Sequence, residues 1–414
     1  MTGPLHGVRI VDLTTMLSGP WATMMLADQG ADVIKVEVPN SGDHVRSLGN
    51  QSAGMSAMFH NINRGKRSVT IDLKSAEGVD LLKRIAATAD VFVQNFRPGV
   101  VDRLGIGYEH IRSVNGSILY VSISGFGEVG PYFEKPVYDP VIQAVSGLAS
   151  IQGGSDTERP RLVRTVVPDK VAAITAAQAI SAGLFAKVRT GAGQHVKLSM
   201  LDAMLSFLWA SDFGAQTYPG RPTSNQAAAS FVDLIYETKD GYMTVAVMSD
   251  KEWIALTKAF NKPEWRSDER FATPMARDRH VNERLTMTQE VLRTRTTAEW
   301  MDVLEKAGVP CAPALTRNEV IKSAQVQASG SLIEYEHHAG GQLRQARPAA
   351  KFELTPSEVR CGAPLLGQHN VEVLTDIGLT STEIRRLRDS EVIGAETAPK
   401  AKMEESHVKN VARA

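Results

Sequence analysis

GVRIVDLTTMLSGPWATMMLADQGADVIKVEV, residues 7–38, is the stretch on which the fold turns. Gly7-Val-Arg-Ile-Val-Asp-Leu13 is a short run rich in β-branched residues and reads as a strand. Gly19-Pro20 then opens a helix through Gln29, with Pro20 at the first helical position, where a missing N–H costs nothing. Gly30 stops that helix, and Asp32-Val-Ile-Lys-Val-Glu-Val38 is the next strand. Strand, helix and strand in such close succession form the unit of a parallel sheet with right-handed crossovers.

The same alternation continues outward. A helix is predicted over Ala76–Ala87, with strands over Val91–Gln94, Ile118–Ile123 and Gln194–Ser199. Together they predict an α/β fold with a Rossmann-like parallel sheet. Lys170 to Arg189 reads as a long helix that is apolar nearly all round, including Ala172, Ile174, Ala176, Ile180 and Phe185. A helix without a polar face belongs in a core or an interface. The domain boundaries follow: 1–205 is the large domain, and 206–225 is a linker marked by Pro219-Gly-Arg-Pro222. Residues 226–325 form a smaller α+β domain, with two strands turning at Lys239-Asp240-Gly241 and helices near Trp253–Phe260 and Asn282–Leu292. Residues 326–394 lead back to the large domain, and 395–414 are a polar, weakly ordered tail.

Composition narrows the partners. A chain of 414 residues, 43% hydrophobic, exceeds what one core usually serves, so two domains are expected. With 46 basic and 46 acidic side chains it has no field to attract nucleic acid or an anionic membrane. Cys311 and Cys361 lack the spacing of a disulfide framework or a metal site. No basic-then-apolar leader occurs at Met1–Arg9, and no uninterrupted apolar run approaches ~18 residues. A cytoplasmic, reduced protein without a metal is expected.

Open parallel sheets bind ligands beyond the carboxyl ends of their strands. Thr14-Thr-Met-Leu-Ser-Gly19 lacks the GxGxxG of dinucleotide sites, which disfavours a nicotinamide-dependent dehydrogenase, although its helix N-terminus suits a phosphate. Asn95-Phe96-Arg97-Pro98-Gly99 with Asp102-Arg103 offers an aromatic face and two guanidinium forks for phosphate, against the plainer reading that Arg103 pairs with Asp102. Asp169 precedes the buried helix and reads either as its cap or as a rigidly held carboxylate nucleophile. Ser122 and Ser124 form no GxSxG elbow. His337-His338 reads as exposed loop, and Tyr138-Asp139 as a further helix cap.

Taken together, these segments resemble the class III CoA-transferases (the CaiB/BaiF group), which include formyl-CoA transferase. The resemblance is carried by Pro4–Leu13, Ser18-Gly-Pro20, Gly30–Glu37, Ser41-Gly-Asp43, Asn63–Ser68, Asp72-Leu-Lys74, Asn95-Phe96, Asp102–Gly105 and Ser124–Gly127. It continues through Tyr138-Asp139, Asp169, Arg189–Gln194, Ser199–Ala203, Gly308–Cys311 and Ala363–Gly367. It implies that Asp169 is the catalytic aspartate, forming an aspartyl-CoA thioester while CoA moves from an acyl-CoA to a carboxylic acid. It places CoA contacts on Leu17, Ser18, Ile71, Lys74, Asn95, Phe96, Arg97, Arg103, Tyr138 and Asp139. It also implies an interlocked homodimer, with CoA as substrate and no resident cofactor.

Formyl-CoA transferase carries a glutamine where this chain has Leu17, an arginine where it has Val38, and a glycine run where it has Ala227-Ala228-Ala229. An acceptor less polar than oxalate is therefore expected. The α-methylacyl-CoA racemases share the fold and CoA site but carry His-Asp where this chain has Tyr138-Asp139. A tyrosine, with a pKa near ~10, is a poor base for racemization. A non-catalytic acyl-CoA-binding protein would have no use for Asp169.

Overall fold

The computed structural model describes residues 3–52, 54–154, 156–220 and 234–395, and the strand at 409–410. Its elements run, in chain order, β1 (Arg9–Asp12), α1 (Ser18–Asp28), β2 (Asp32–Glu37), β3 (Gln51–Ser52), β4 (Met55–Ser56), α2 (Ala57–Asn63), β5 (Lys66–Thr70) and α3 (Ala76–Ala86). Then come β6 (Val91–Gln94), α4 (Val100–Arg103), α5 (Tyr108–Val114), β7 (Leu119–Ser124), α6 (Asp139–Val145), α7 (Leu148–Gly153), α8 (Val167–Thr190), β8 (Gln194–Ser199) and α9 (Met200–Trp209). The remainder is β9 (Ile235–Glu237), β10 (Tyr242–Val245), α10 (Asp250–Ala259), α11 (Pro274–Arg279), α12 (Val281–Leu292), α13 (Thr297–Lys306), β11 (Cys311–Pro313), α14 (Arg317–Val320), α15 (Ala324–Ala328), β12 (Leu332–His337), β13 (Gly341–Ala346), α16 (Asn370–Asp376), α17 (Ser381–Asp389) and β14 (Lys409–Asn410).

The chain divides into two compact units. The larger comprises residues 1–146, 163–208 and 324–414, and its centre is a six-stranded sheet in the order β5-β2-β1-β6-β7-β8. Every pairing in that sheet is parallel. The chain winds one way through β1, β2 and β5, then the other way through β6, β7 and β8. The reversal point, where ligands bind in such sheets, lies between β1 and β6. β5 is a strand that the sequence reading passed over, because Lys66-Arg67-Ser68-Val69-Thr70 is short and half polar.

Period-2 alternation divides the core. Val11, Ile34, Val69, Phe92 and Tyr120 meet α3, α5, α16 and α17 on one face. Ile10, Val33, Val91, Leu119 and Val121 meet α1 and α8 on the other. The C-terminal segment thus closes the sheet: Asn370 Oδ1 accepts from Thr70 N at 2.9 Å and its Nδ2 donates to Gly394 O. The β12–β13 hairpin includes His337, which was expected in an exposed loop. It is buried, because Nε2 bonds Ala363 O at 2.8 Å while Nδ1 accepts from Gly340 N at 2.9 Å. The expected weak tail begins at 395; its described strand, β14, pairs antiparallel with β12.

Helix α8 begins at Val167, earlier than expected, and ends at Gly191 in the left-handed conformation with φ 73°. Only one stripe is packed: Ala172, Ala173, Ala176, Ile180 and Leu184 are buried, while Ile174, Phe185 (63% exposed) and Val188 (84%) are not. Among the described residues α8 is the helix whose length and apolarity would span a membrane. Its small-residue stripe instead packs against α1 and β7.

The smaller unit comprises 147–162 and 209–323. Residues 147–162, which the sequence reading left with the large domain, group here. An antiparallel sheet β11-β10-β9 packs on α10–α13 around Trp253, Phe260, Trp265, Phe271 and Trp300. Reciprocal Ser/Thr–Glu caps at Ser249/Glu252 and Thr296/Glu299 fix the starts of α10 and α13.

Candidate active site

The loop from β1 to α1, Thr14–Leu17, lies at the reversal point and is held at nearly every peptide group. Alternation puts Asp12, Lys35, Glu37 and Lys66 on the α1 face of the sheet, where a charge must find a partner. Lys66 Nζ donates to Asp12 Oδ2 (2.9 Å), Pro20 O (2.8 Å) and Asn63 Oδ1 (2.8 Å). Lys35 Nζ donates to Thr14 O at 2.8 Å and Asp43 Oδ2 at 3.0 Å. Thr14 N donates to Asp12 Oδ1, and Met16 N to Asp43 Oδ1. Burial lowers the Lys66 ammonium to about 8, against the pull of Asp12. Burial works against the Asp12 carboxylate, but Lys66 and Lys35 hold it below the usual range.

Across the reversal point, Asn95 follows β6 and clasps Thr15: Oδ1 accepts from Thr15 N at 2.9 Å and Nδ2 donates to Thr15 O at 2.8 Å. Met16 is held at φ 69°, a conformation L-residues rarely adopt. Gly19 permits the closest approach, since a Cβ there would stand 2.3 Å from Thr14 Cβ. Pro20 is the third residue of α1, not the first, and still falls in the turn whose N–H groups lack helical partners.

Ser18, the first residue of α1, stands beside the Asp169 carboxylate, and its backbone N–H and hydroxyl both favour the charged form. Asp169 does not precede α8 as a cap; it lies inside the first turn, two residues after Val167. Its own N–H donates to Asp139 Oδ2 at 3.2 Å. Asp139 is 3% exposed, and its Oδ1 accepts from Gln143 Nε2 at 2.6 Å. Gln143 is in turn fixed by Val163 N, which donates to its Oε1. Burial, and then the neighbouring Asp139 charge, raise Asp169 to about 6, while the Ser18 donors oppose the shift. Burial likewise raises Asp139, against Gln143 and the Asp169 N–H.

The arrangement can therefore present a partly desolvated, basic carboxylate beside the first N–H groups of α1, those of Ser18 and Gly19. Those N–H groups suit a developing oxyanion. No proton donor is needed for attack by a carboxylate on a thioester.

The remaining expected contacts divide by position. Leu17 and Ile71 are buried; Leu17 caps α1, and Ile71 follows β5. Lys74, Arg97 and Arg103 are exposed near the carboxyl ends of β5 and β6, and among the described residues none has a carboxylate within ion-pair distance. The Arg103–Asp102 pair considered from sequence is thus not formed. Phe96 is half-buried against the core, with its N–H donating to Gln94 Oε1. Asn95 spends its amide on Thr15. Tyr138 is 66% exposed and makes no side-chain cap, and Asp139 holds Asp169 and Gln143. Ala227–Ala229 lie outside the described residues.

Sequence reading missed the cage of Asp12, Lys35, Asp43 and Lys66, and also Gln143. The available signal was the charge itself: Asp12, Lys35 and Lys66 interrupt strands otherwise buried on both faces.

Comparison with known proteins identifies the family. The sequence model of CoA-transferase family III matches residues 5–370. The chain is 34% identical over 382 residues to human (Homo sapiens) succinyl-CoA:glutarate CoA-transferase, covering 90% of this chain and 86% of that one. It is 32% identical to a formyl-CoA:oxalate CoA-transferase of Rhodopseudomonas palustris, covering 94% and 97%. Among solved structures, a CAIB/BAIF family protein from Brucella suis superposes with a TM-score of 0.79 at 30% identity, over 91% of this chain and all of that one. With a family match over nearly the whole chain and named transferases at this identity, the chain is an enzyme of CoA-transferase family III.

Proposed function

We propose that the protein moves CoA from an acyl-CoA to a carboxylic acid through a thioester on Asp169. The observation that carries this reading is the half-buried Asp169 carboxylate in the first turn of α8, its own N–H anchored on Asp139 Oδ2 at 3.2 Å and Ser18 at the start of α1 beside it. An Asp169 oxygen attacks the donor thioester carbonyl, the C–S bond breaks, and a mixed anhydride and CoA thiolate result. The thiolate attacks the aspartyl carbonyl, giving aspartyl-CoA and releasing the donor carboxylate. The acceptor carboxylate then attacks aspartyl-CoA, and the returning thiolate cleaves the new anhydride, leaving acyl-CoA and the original carboxylate. Charge is conserved throughout and no proton is consumed. In this reading the Ser18 N–H holds each oxyanion.

In this reading Lys74, Arg97 and Arg103 serve the CoA phosphates, Phe96 and Tyr138 its flat or pantetheine surfaces, and Leu17 and Ile71 the apolar walls. Buried Leu17 offers no donor to a compact dianion. The acceptor is accordingly a monoacid or a longer diacid, a class to which the glutarate named for the human relative belongs. The exposed apolar stripe of α8 is the surface of a homodimer, and the free thiols Cys311 and Cys361 suit a reducing cytoplasm.

The deciding experiment is incubation with succinyl-CoA followed by mass spectrometry. Wild type should gain the mass of CoA, removable by hydroxylamine, and Asp169→Ala should gain nothing. An adduct on Asp169→Ala, or normal turnover by it, overturns the mechanism. Washout of α-deuterium from 2-methylacyl-CoA at the turnover rate would assign a racemase instead.

A further inference from the structure

The smaller unit has a cavity of about 160 Å³ between its β9–β10 strands and helices α10–α12. Leu234, Val245, Val247 and Leu256 form its apolar side. Two donors are also among its lining residues: Trp253 Nε1 of α10 and Arg284 Nε of α12 are both buried, and neither has an acceptor among the described residues. The neighbouring Arg277 is anchored within the unit, because Nη1 donates to Phe271 O at 2.9 Å and Nη2 to the Asp250 carboxylate. Its guanidinium also covers the Trp253 ring at 5.6 Å. Arg277 thus builds the wall, whereas Arg284 carries a charge that wall does not satisfy. Asp278, also lining the cavity, forms no ion pair with Arg284. Burial, together with Arg277, disfavours the Arg284 charge, and Tyr236 and Asp278 only partly oppose this. A guanidinium does not deprotonate in proteins, so an anion at the buried Nε would stabilise it.

We infer that this cavity is a second ligand site, separate from Asp169, for a monocarboxylate with a short apolar body. One carboxylate oxygen would accept from Arg284 Nε and the other from Trp253 Nε1, with the body against Leu234, Val245 and Leu256. A volume near that of an apolar cavity that admits benzene limits the body to about six heavy atoms, which excludes a nucleotide. Asp278 repels a second carboxylate and so selects against dianions of the same size.

The test uses the full-length chain and benzoate, with benzamide as neutral isostere and phthalate as dianion. Calorimetry on Asp169→Asn should show benzoate binding near millimolar Kd, with benzamide and phthalate each weaker by about tenfold or more. Adding Arg284→Gln should weaken benzoate by about tenfold or more, whereas Arg284→Gln alone leaves CoA transfer unchanged. In ¹⁵N-indole spectra the Trp253 signal, identified by its loss in Trp253→Phe, should move with benzoate and stay still with benzamide. If Arg284→Gln does not fold, the indole shift and Trp253→Phe decide the matter on otherwise native protein. An unmoved Trp253 signal at saturating benzoate, or equal benzoate affinity with and without Arg284, overturns the site. Either result is independent of whether Asp169 forms a thioester.

Discussion

Replacing Asp169 with asparagine should destroy transfer and at the same time stabilise the fold. The folded-state pKa, about 6, stands above the unfolded value of 3.8. Between those values the folded chain holds a proton that the unfolded chain has released. Stability therefore falls as pH rises through the window, and the full cost is present at pH 7. Two units at 1.36 kcal/mol each set a ceiling of about 3 kcal/mol. Solvent at the half-open site and an imperfect amide partner for Ser18 reduce the expected gain to about 1–2 kcal/mol. For a domain of this size that is a rise in Tm of a few degrees. Calorimetric melting of wild type and Asp169→Asn at pH 7 and pH 5 measures it. The gain should be large at pH 7 and smaller at pH 5. An unchanged or lower Tm at pH 7, or a gain independent of pH, would refute the reasoning that desolvation and Asp139 destabilise this carboxylate.

Four further outcomes are expected. The transfer rate should fall as pH drops through about 6, and Asp139→Asn should move that limb lower, because a like charge is removed; a limb that stays in place assigns it to another group. Gly19→Ala should cost about 1–3 kcal/mol in urea melts and most of the activity, since the added methyl meets Thr14. Leu17→Gln should raise kcat/KM for oxalate relative to glutarate, and a wild type that already prefers oxalate contradicts the acceptor reading. Light scattering should give twice the 44.9 kDa chain mass at high dilution, and a monomer excludes α8 as a dimer surface.

Local pattern was sufficient for the strands at 32–37, 91–94 and 194–199, because β-branched runs bounded by turns have few other uses. It failed at Lys66–Thr70, whose pairing with β2 depends on charges finding partners elsewhere. Asp12 and Lys66 meet across 54 positions, and Asn95 reaches Thr15 across 80. No window along the chain contains such a pair. The place of Asp169 was misjudged by a few residues for a related reason: Val167-Pro168 starts α8 before any apolar periodicity begins. Asp139 looked like a helix cap or a ligand contact, and only the fold brings it beneath the backbone of Asp169.

The cage around Thr14–Leu17 also has a temporal consequence. Its fastenings come from β1, β2, β5 and the turn after β6, so the loop acquires its shape only when four strands have found their order. Contacts of such sequence separation form late in folding. A nascent or partly opened chain therefore lacks the loop shape that brings Ser18 beside Asp169, and under the proposed mechanism it should pass through its vulnerable states without attacking the cell's thioesters.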